Sequence, residues 1–135
     1  YQLMGPQAPA LACSCVEALV PDAELERSDV VFAGVVERIE IPEPGTSVAT
    51  FSATVAYKGT VEPTVRIRTP SSEPSCGYPF EVGVKYLVYS YQLERQDALG
   101  TTLCTRTRPW EQASEDLAML GSGTLAGGSD SEELP

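Results

Sequence analysis

A small, mainly β domain with flanking helices and two disulfides is predicted by three observations. Five short runs are rich in β-branched and aromatic residues, with apolar positions that alternate or cluster. Proline and glycine turn signals separate these runs. The four cysteines are an even number, and two of them, Cys13 and Cys15, lie one residue apart.

Taken in order, Pro21 suits a first helical turn, so a short helix is predicted around Asp22–Ser28. Val30 to Ile41, with Phe32, Val35 and Ile39, predicts a long strand in which Gly34 marks a bulge or bend. Pro42-Glu43-Pro44-Gly45 predicts a turn. Thr50 to Tyr57 alternates through Phe51, Ala53, Val55 and Tyr57, as a half-buried strand does. Thr64 to Thr69 places Val65 and Ile67 inward, with Arg66 and Arg68 outward.

Pro70 to Pro79 reads as a loop that carries Cys76. Val84 to Tyr91 predicts a fourth strand, and Thr101 to Thr107, carrying Cys104, a fifth. Pro109 and Trp110 then open a helix. Trp110, Ala113, Leu117 and Leu120 share one face of it, and Gly121 ends it. Five strands followed by a helix match an OB-fold-like five-stranded Greek-key barrel. Tyr57, Tyr86, Tyr89 and Trp110 are assigned to packing rather than to a base-stacking platform.

The charge balance narrows function. With 9 basic and 19 acidic residues the formal charge is −10, which repels phosphate backbones and anionic lipid. Nucleic acid is therefore not an expected partner. No His is present, which removes Ser-His-Asp and Cys-His catalysis and His-ligated metal. No Asn is present, so N-glycosylation has no acceptor. Glu37, Glu40, Glu43 and Glu81 have no spacing that argues for paired catalytic carboxylates, and they read as a solvated face. No enzyme activity and no cofactor are expected.

No apolar run is long enough for a membrane span. Residues 1–12 end in Ala10-Leu11-Ala12, an Ala-x-Ala signal-peptidase pattern that would leave Cys13 first. They read as a leader remnant, and residues 13–121 as the folded domain. Residues 122–135 read as a flexible Gly/Ser-rich acidic tail, suited to a disordered end or to a linker toward a surface anchor. A monomer in a secreted or extracytoplasmic setting is expected.

Cys13 and Cys15 are too close in sequence to bond each other without severe strain. Each needs a distant partner, and Cys76 and Cys104 are the two others in the chain. Either assignment ties Cys13-Ser14-Cys15 to the domain at two points.

Several motifs then coincide in order with a known family. Cys13-Ser14-Cys15 resembles the amino-terminal Cys-x-Cys of the tissue inhibitors of metalloproteinases, within the wider netrin-like module group. Ser28-Asp29-Val30-Val31-Phe32-Ala33 is similar to the start of that family's first strand, and Tyr57-Lys58-Gly59 to its aromatic-Lys-Gly strand end. Pro70-Ser71-Ser72 leading to Cys76-Gly77 resembles its loop before the third cysteine. Val82-Gly83 with Lys85-Tyr86-Leu87-Val88, and Leu103-Cys104 with Pro109-Trp110, resemble the strand and helix beyond. The vertebrate members carry a further disulfide in this domain and a separate C-terminal subdomain. Both are missing here, so the chain looks like a simpler, bacterial-type relative.

The resemblance implies an OB-like barrel and the pairs Cys13–Cys76 and Cys15–Cys104. It also implies a mode of action on a zinc metalloendopeptidase. A catalytic zinc keeps one position open, which an amine and a neighbouring carbonyl oxygen can fill together. The α-amine and carbonyl of Cys13 would bind the protease zinc in trans, once Cys13 is the first residue. Ser14 would point into the pocket beside the zinc, with Cys15 and Val16 continuing along the groove. Pro74 and Ser75 would widen the contact. The alternative expectation is a non-inhibitory extracellular netrin-like protein-binding or scaffold module.

Overall fold

A computed structural model of the protein describes residues 13–15, 20–94 and 98–127. It opens with helix α1 (Pro21–Arg27) and strands β1 (Val30–Glu43), β2 (Thr46–Lys58) and β3 (Thr64–Pro70). A 3₁₀ turn, Glu73–Ser75, precedes β4 (Lys85–Gln92). Two short strands follow, β5 (Leu99–Gly100) and β6 (Arg108–Pro109). A second 3₁₀ turn, Trp110–Gln112, leads into α2 (Ser114–Leu120), and β7 (Thr124–Leu125) is last.

The strands close on themselves. β1 pairs antiparallel with both β2 and β4, and β2 pairs antiparallel with β3. β5 joins β3 in parallel and β4 antiparallel. The order β1-β2-β3-β5-β4 therefore returns to β1, giving the mainly β, OB-like ring predicted for five strands.

Two cores explain the composition of β1. Phe32, Phe51, Ile67 and Val88 fill the interior of the ring with Phe80 and Tyr86. Phe51 meets Phe32 and Phe80 edge-on, with ring centroids 5.3 and 5.1 Å apart. Each fully buried phenylalanine contributes about 1.5–3 kcal/mol. On the outer face Val31, Leu87 and Tyr89 pack under the helices with Ala113, Leu25 and Leu117. Val30 to Ala33 is thus covered on both faces, which is why it reads as a continuous apolar run rather than an alternation. The register shifts between Ala33 and Gly34, where a Cβ at Gly34 would come within 2.8 Å of the Ser52 carbonyl oxygen. This is the bend expected at that glycine.

The fifth strand differs from its expectation. Leu99–Gly100 closes the ring, while Thr101 to Thr107 forms a loop. Its threonines satisfy one another instead of a ladder. Thr101 Oγ1 donates to the Tyr89 carbonyl at 2.8 Å and lies 3.0 and 2.9 Å from the Thr105 and Thr107 hydroxyls. Threonine's β-branch favours strands, but its hydroxyl competes for the backbone. Here the hydroxyl wins.

The helices follow their predicted faces with shifted ends. α1 starts at Pro21 and stops before Ser28, whose backbone N–H and side chain both donate to the Glu24 carbonyl. Lys58, of the Tyr57-Lys58-Gly59 motif, donates to the carbonyls of Leu25 and Glu26 at 2.7 and 3.0 Å. A cation at a helix C-terminus is favourable both as a donor and against the dipole. Trp110 opens a 3₁₀ turn rather than the α-helix, and its ring lies 4.0 Å from the Lys85 ammonium. Tyr86 and Tyr89 are buried and Tyr57 packs on the outer core, as assigned. Glu37, Glu40, Glu43 and Glu81 are all exposed.

Beyond Gly121 the chain folds back. Thr124 and Leu125 pair with Ala56 and Val55, and Gly127 donates to the Val61 carbonyl. The tail expected from residue 122 therefore begins no earlier than residue 128. Residues 1–12 and the rest of the tail lie outside the described residues. Among those described, no helix is long and apolar enough to cross a membrane.

Candidate functional site

Two disulfides form, Cys13–Cys76 and Cys15–Cys104, spanning 63 and 89 residues with Cα atoms 5.1 and 5.3 Å apart. This is the pairing that the family resemblance implies. Loops of these lengths are worth about 4–5 kcal/mol each in the chain-entropy model.

The loop that receives Cys13 is held by its own backbone. Gly77 donates to the Ser72 carbonyl at 2.9 Å and Cys76 to the Glu73 carbonyl at 2.8 Å. Cys76 takes a left-handed conformation, φ 71°, rare outside glycine. Gly77 is required by space: a Cβ there would sit 1.9 Å from the Pro70 carbonyl oxygen. Tyr78 N–H then donates to Thr69 Oγ1 at 2.9 Å and seats the loop on β3.

The loop that receives Cys15 is bound to the first loop directly. Leu103 N–H donates to the Cys76 carbonyl at 2.9 Å, and Thr101 N–H to the Arg68 carbonyl at 3.0 Å. Both anchoring cysteines therefore share one rigid platform.

Two residues beyond Cys104, Arg106 enters a largely buried polar network. Arg106 grips Asp116 with two nitrogens, each at 2.7 Å. Tyr89 donates its hydroxyl to the same carboxylate at 2.6 Å. Arg106 N–H donates to Glu24 Oε2 at 3.1 Å, and Glu24 Oε1 faces Arg27 Nε at 3.6 Å. Burial alone would raise the Asp116 carboxyl, but the bonds from Arg106 and Tyr89 outweigh it and hold it below the usual range. Burial, then the bond to Asp116, pushes the Tyr89 phenol well above its ordinary value. The network locks α1, α2 and the Cys104 loop together.

Together the tripeptide and the loop before Cys76 form one exposed surface strip, the ridge. Ser14 and Cys15 are exposed, as are Ser71 to Ser75, and Cys13 is half-buried beside Cys76. The Cys13–Cys76 bond ties the tripeptide Cys13-Ser14-Cys15 to the loop that carries Pro74 and Ser75. Val16 lies outside the described residues. Leu103, 37% exposed and bonded to Cys76, lies beside the ridge; the sequence named it only within the Leu103-Cys104 motif and not as a contact residue. The Arg106–Asp116–Glu24 network was also not legible, because each residue sits in an ordinary surface-like context.

Chemically the ridge presents backbone, two cross-links, hydroxyls and the Glu73 carboxylate. The sulfurs of Cys13, Cys76 and Cys104 lie within 4.8 Å of one another, but all are consumed in disulfides and offer no thiolate to a metal. No protein-family model matches the chain, and no curated protein matches it.

Proposed function

We propose that this domain, with Cys13 as its first residue, blocks a zinc metalloendopeptidase through the ridge. The observation that carries the proposal is the double tether of Cys13-Ser14-Cys15 on an exposed platform. A free α-amino group has a pKa of ~7.7–8.0, so metal binding near neutral pH displaces its proton at small cost. The amine and carbonyl of Cys13 would fill the open zinc position, and Ser14 would enter the adjoining pocket. Its small side chain permits entry without strong selection among targets. Val16, Pro74 and Ser75 would extend the contact. Both ends of the tripeptide are already ordered, so little entropy is lost on binding, and the segment resists cleavage.

Two disulfides support a secreted or extracytoplasmic setting. The resemblance to the tissue inhibitors of metalloproteinases supports the mode of action.

A second reading follows from the peptide bond between Ala12 and Cys13. With that bond intact the nitrogen is an amide, a poor zinc ligand, and the domain would act as a non-inhibitory netrin-like binding module. One assay separates the two readings. The 13–135 and 1–135 forms are compared against a panel of zinc endopeptidases. Inhibition by the shorter form alone supports the proposal, and inactivity of both overturns it.

A further inference from the structure

The two disulfides converge on one spot. Cys13 and Cys76 are bonded to each other, and Cys104 is bonded to Cys15. Yet the Cys104 sulfur lies within 4.8 Å of both sulfurs of the bond it does not share. The Leu103 N–H to Cys76 carbonyl bond, 2.9 Å, holds these two loops side by side without help from either disulfide. Cys15 is exposed, whereas Cys13, Cys76 and Cys104 are half-buried. Of the two residues in the Cys15–Cys104 bond, Cys15 is therefore the more open to solvent.

We propose that this cluster is a thiol–disulfide exchange site whose substrate is a dithiol reductant. A thiolate of the reductant attacks the Cys15 sulfur. The Cys15–Cys104 bond breaks, a mixed disulfide forms on Cys15, and Cys104 leaves as a thiolate. That thiolate attacks the Cys76 sulfur. A Cys76–Cys104 bond forms, the Cys13–Cys76 bond breaks, and Cys13 leaves as a thiolate that takes a proton from water. The reductant's second thiolate then attacks its own sulfur in the mixed disulfide and expels Cys15, which is protonated in turn. One dithiol is oxidised to a disulfide. Two protein disulfides become one disulfide and two thiols, so two electrons are transferred in all.

Proximity drives the second step. A tethered thiolate competes at an effective concentration on the order of millimolar or higher, above that of a dilute second reductant. The outcome is specific. Cys13-Ser14-Cys15 loses both tethers in a single two-electron event, while the two loops that held it remain cross-linked to each other. The ridge is undone and the domain is not. This chemistry does not depend on any protease.

The test is disulfide mapping of the full chain. Limiting dithiothreitol is added, the reaction is quenched with acid, free thiols are capped with N-ethylmaleimide, and the singly reduced species is digested and read by mass spectrometry. The expected result is capped Cys13 and Cys15 with a Cys76–Cys104 cross-linked peptide. Capped Cys15 and Cys104 with Cys13–Cys76 intact overturns the proposal, as does the reverse pair. The Cys15→Ser variant provides a second reading. Its free Cys104 is expected to hold Cys76 in at least half of the molecules, and retention of Cys13–Cys76 throughout also overturns it. Should that variant fold poorly, the mapping of the unaltered chain decides alone.

Discussion

Arg106 and Asp116 meet in a two-nitrogen ion pair, 2.7 Å at each contact, with the carboxylate fully buried. Arg106 lies two residues from Cys104, so this pair fixes the loop to which Cys15 is tethered. Breaking one partner of a buried pair leaves the other charge uncompensated. Asp116→Ala is expected to lower unfolding free energy by about 3–5 kcal/mol, measured by urea titration. A loss below about 1 kcal/mol would show that the pair does not hold the loop.

The same pair sets an acid limit. The Asp116 carboxyl titrates lower in the folded chain than its ordinary 3.8. Its contribution is therefore complete above that value and is lost as pH falls through the lower, folded value. Stability should drop below about pH 4 in the native chain, and the slope there should be shallower in Asp116→Asn. Equal slopes in the two proteins would assign acid unfolding to other carboxylates.

An alkaline limit has the opposite sign. Burial first, then the neighbouring Tyr86, pushes the Tyr78 phenol up to about 12, against the pull of Arg108. Tyr89 is raised as well. Folding holds these protons, so the stabilisation is complete below about pH 10 and declines as pH rises from 10 toward 12. Thermal midpoints between pH 9 and 12 should fall, and less steeply in Tyr78→Phe. A flat profile would place Tyr78 in water.

Gly77 offers a direct test of the platform. A Cβ there would stand 1.9 Å from the Pro70 carbonyl oxygen and 2.8 Å from that of Ser72. These are backbone atoms and cannot swing aside. Gly77→Ala is expected to cost at least about 1–3 kcal/mol and to slow formation of Cys13–Cys76 during refolding. Unchanged stability and refolding would mean that the loop relaxes freely.

How legible this was depended on whether the signal was local. β1 to β4, the bend at Gly34 and the helical stripe of Ala113, Leu117 and Leu120 followed from period and turn chemistry. The ridge residues followed from the spacing of Cys13 and Cys15 and from the family resemblance. Thr101 to Thr107 misled because β-branching and hydroxyl bonding pull threonine in different directions, and only the Tyr89 carbonyl decides between them. Thr124 and Leu125 look like linker, and their strand exists only because β2 has a free edge beside Val55 and Ala56. Glu24 lies 82 residues from Arg106, and Arg106 lies 10 residues from Asp116 across a loop and a 3₁₀ turn, so no helix or strand spacing rule joins the three.

Cys76 carries a cost that its disulfide must offset. Its φ of 71° lies in the left-handed region, where a residue with a Cβ is disfavoured by roughly 1–2 kcal/mol. Glycine escapes that cost in the folded state but loses more chain entropy on folding. With the cross-link removed, the two effects can be weighed against each other. Cys13→Ala combined with Cys76→Ala should be less stable than the intact protein by about 4–5 kcal/mol, the chain-entropy value for this loop. Cys13→Ala combined with Cys76→Gly should recover about 1 kcal/mol of that, because the conformational relief exceeds the added entropy loss. Paired urea titrations would read the difference. Equal stabilities would mean that the loop abandons its left-handed turn once Cys13 is released, so that the tether imposes the geometry rather than exploiting it.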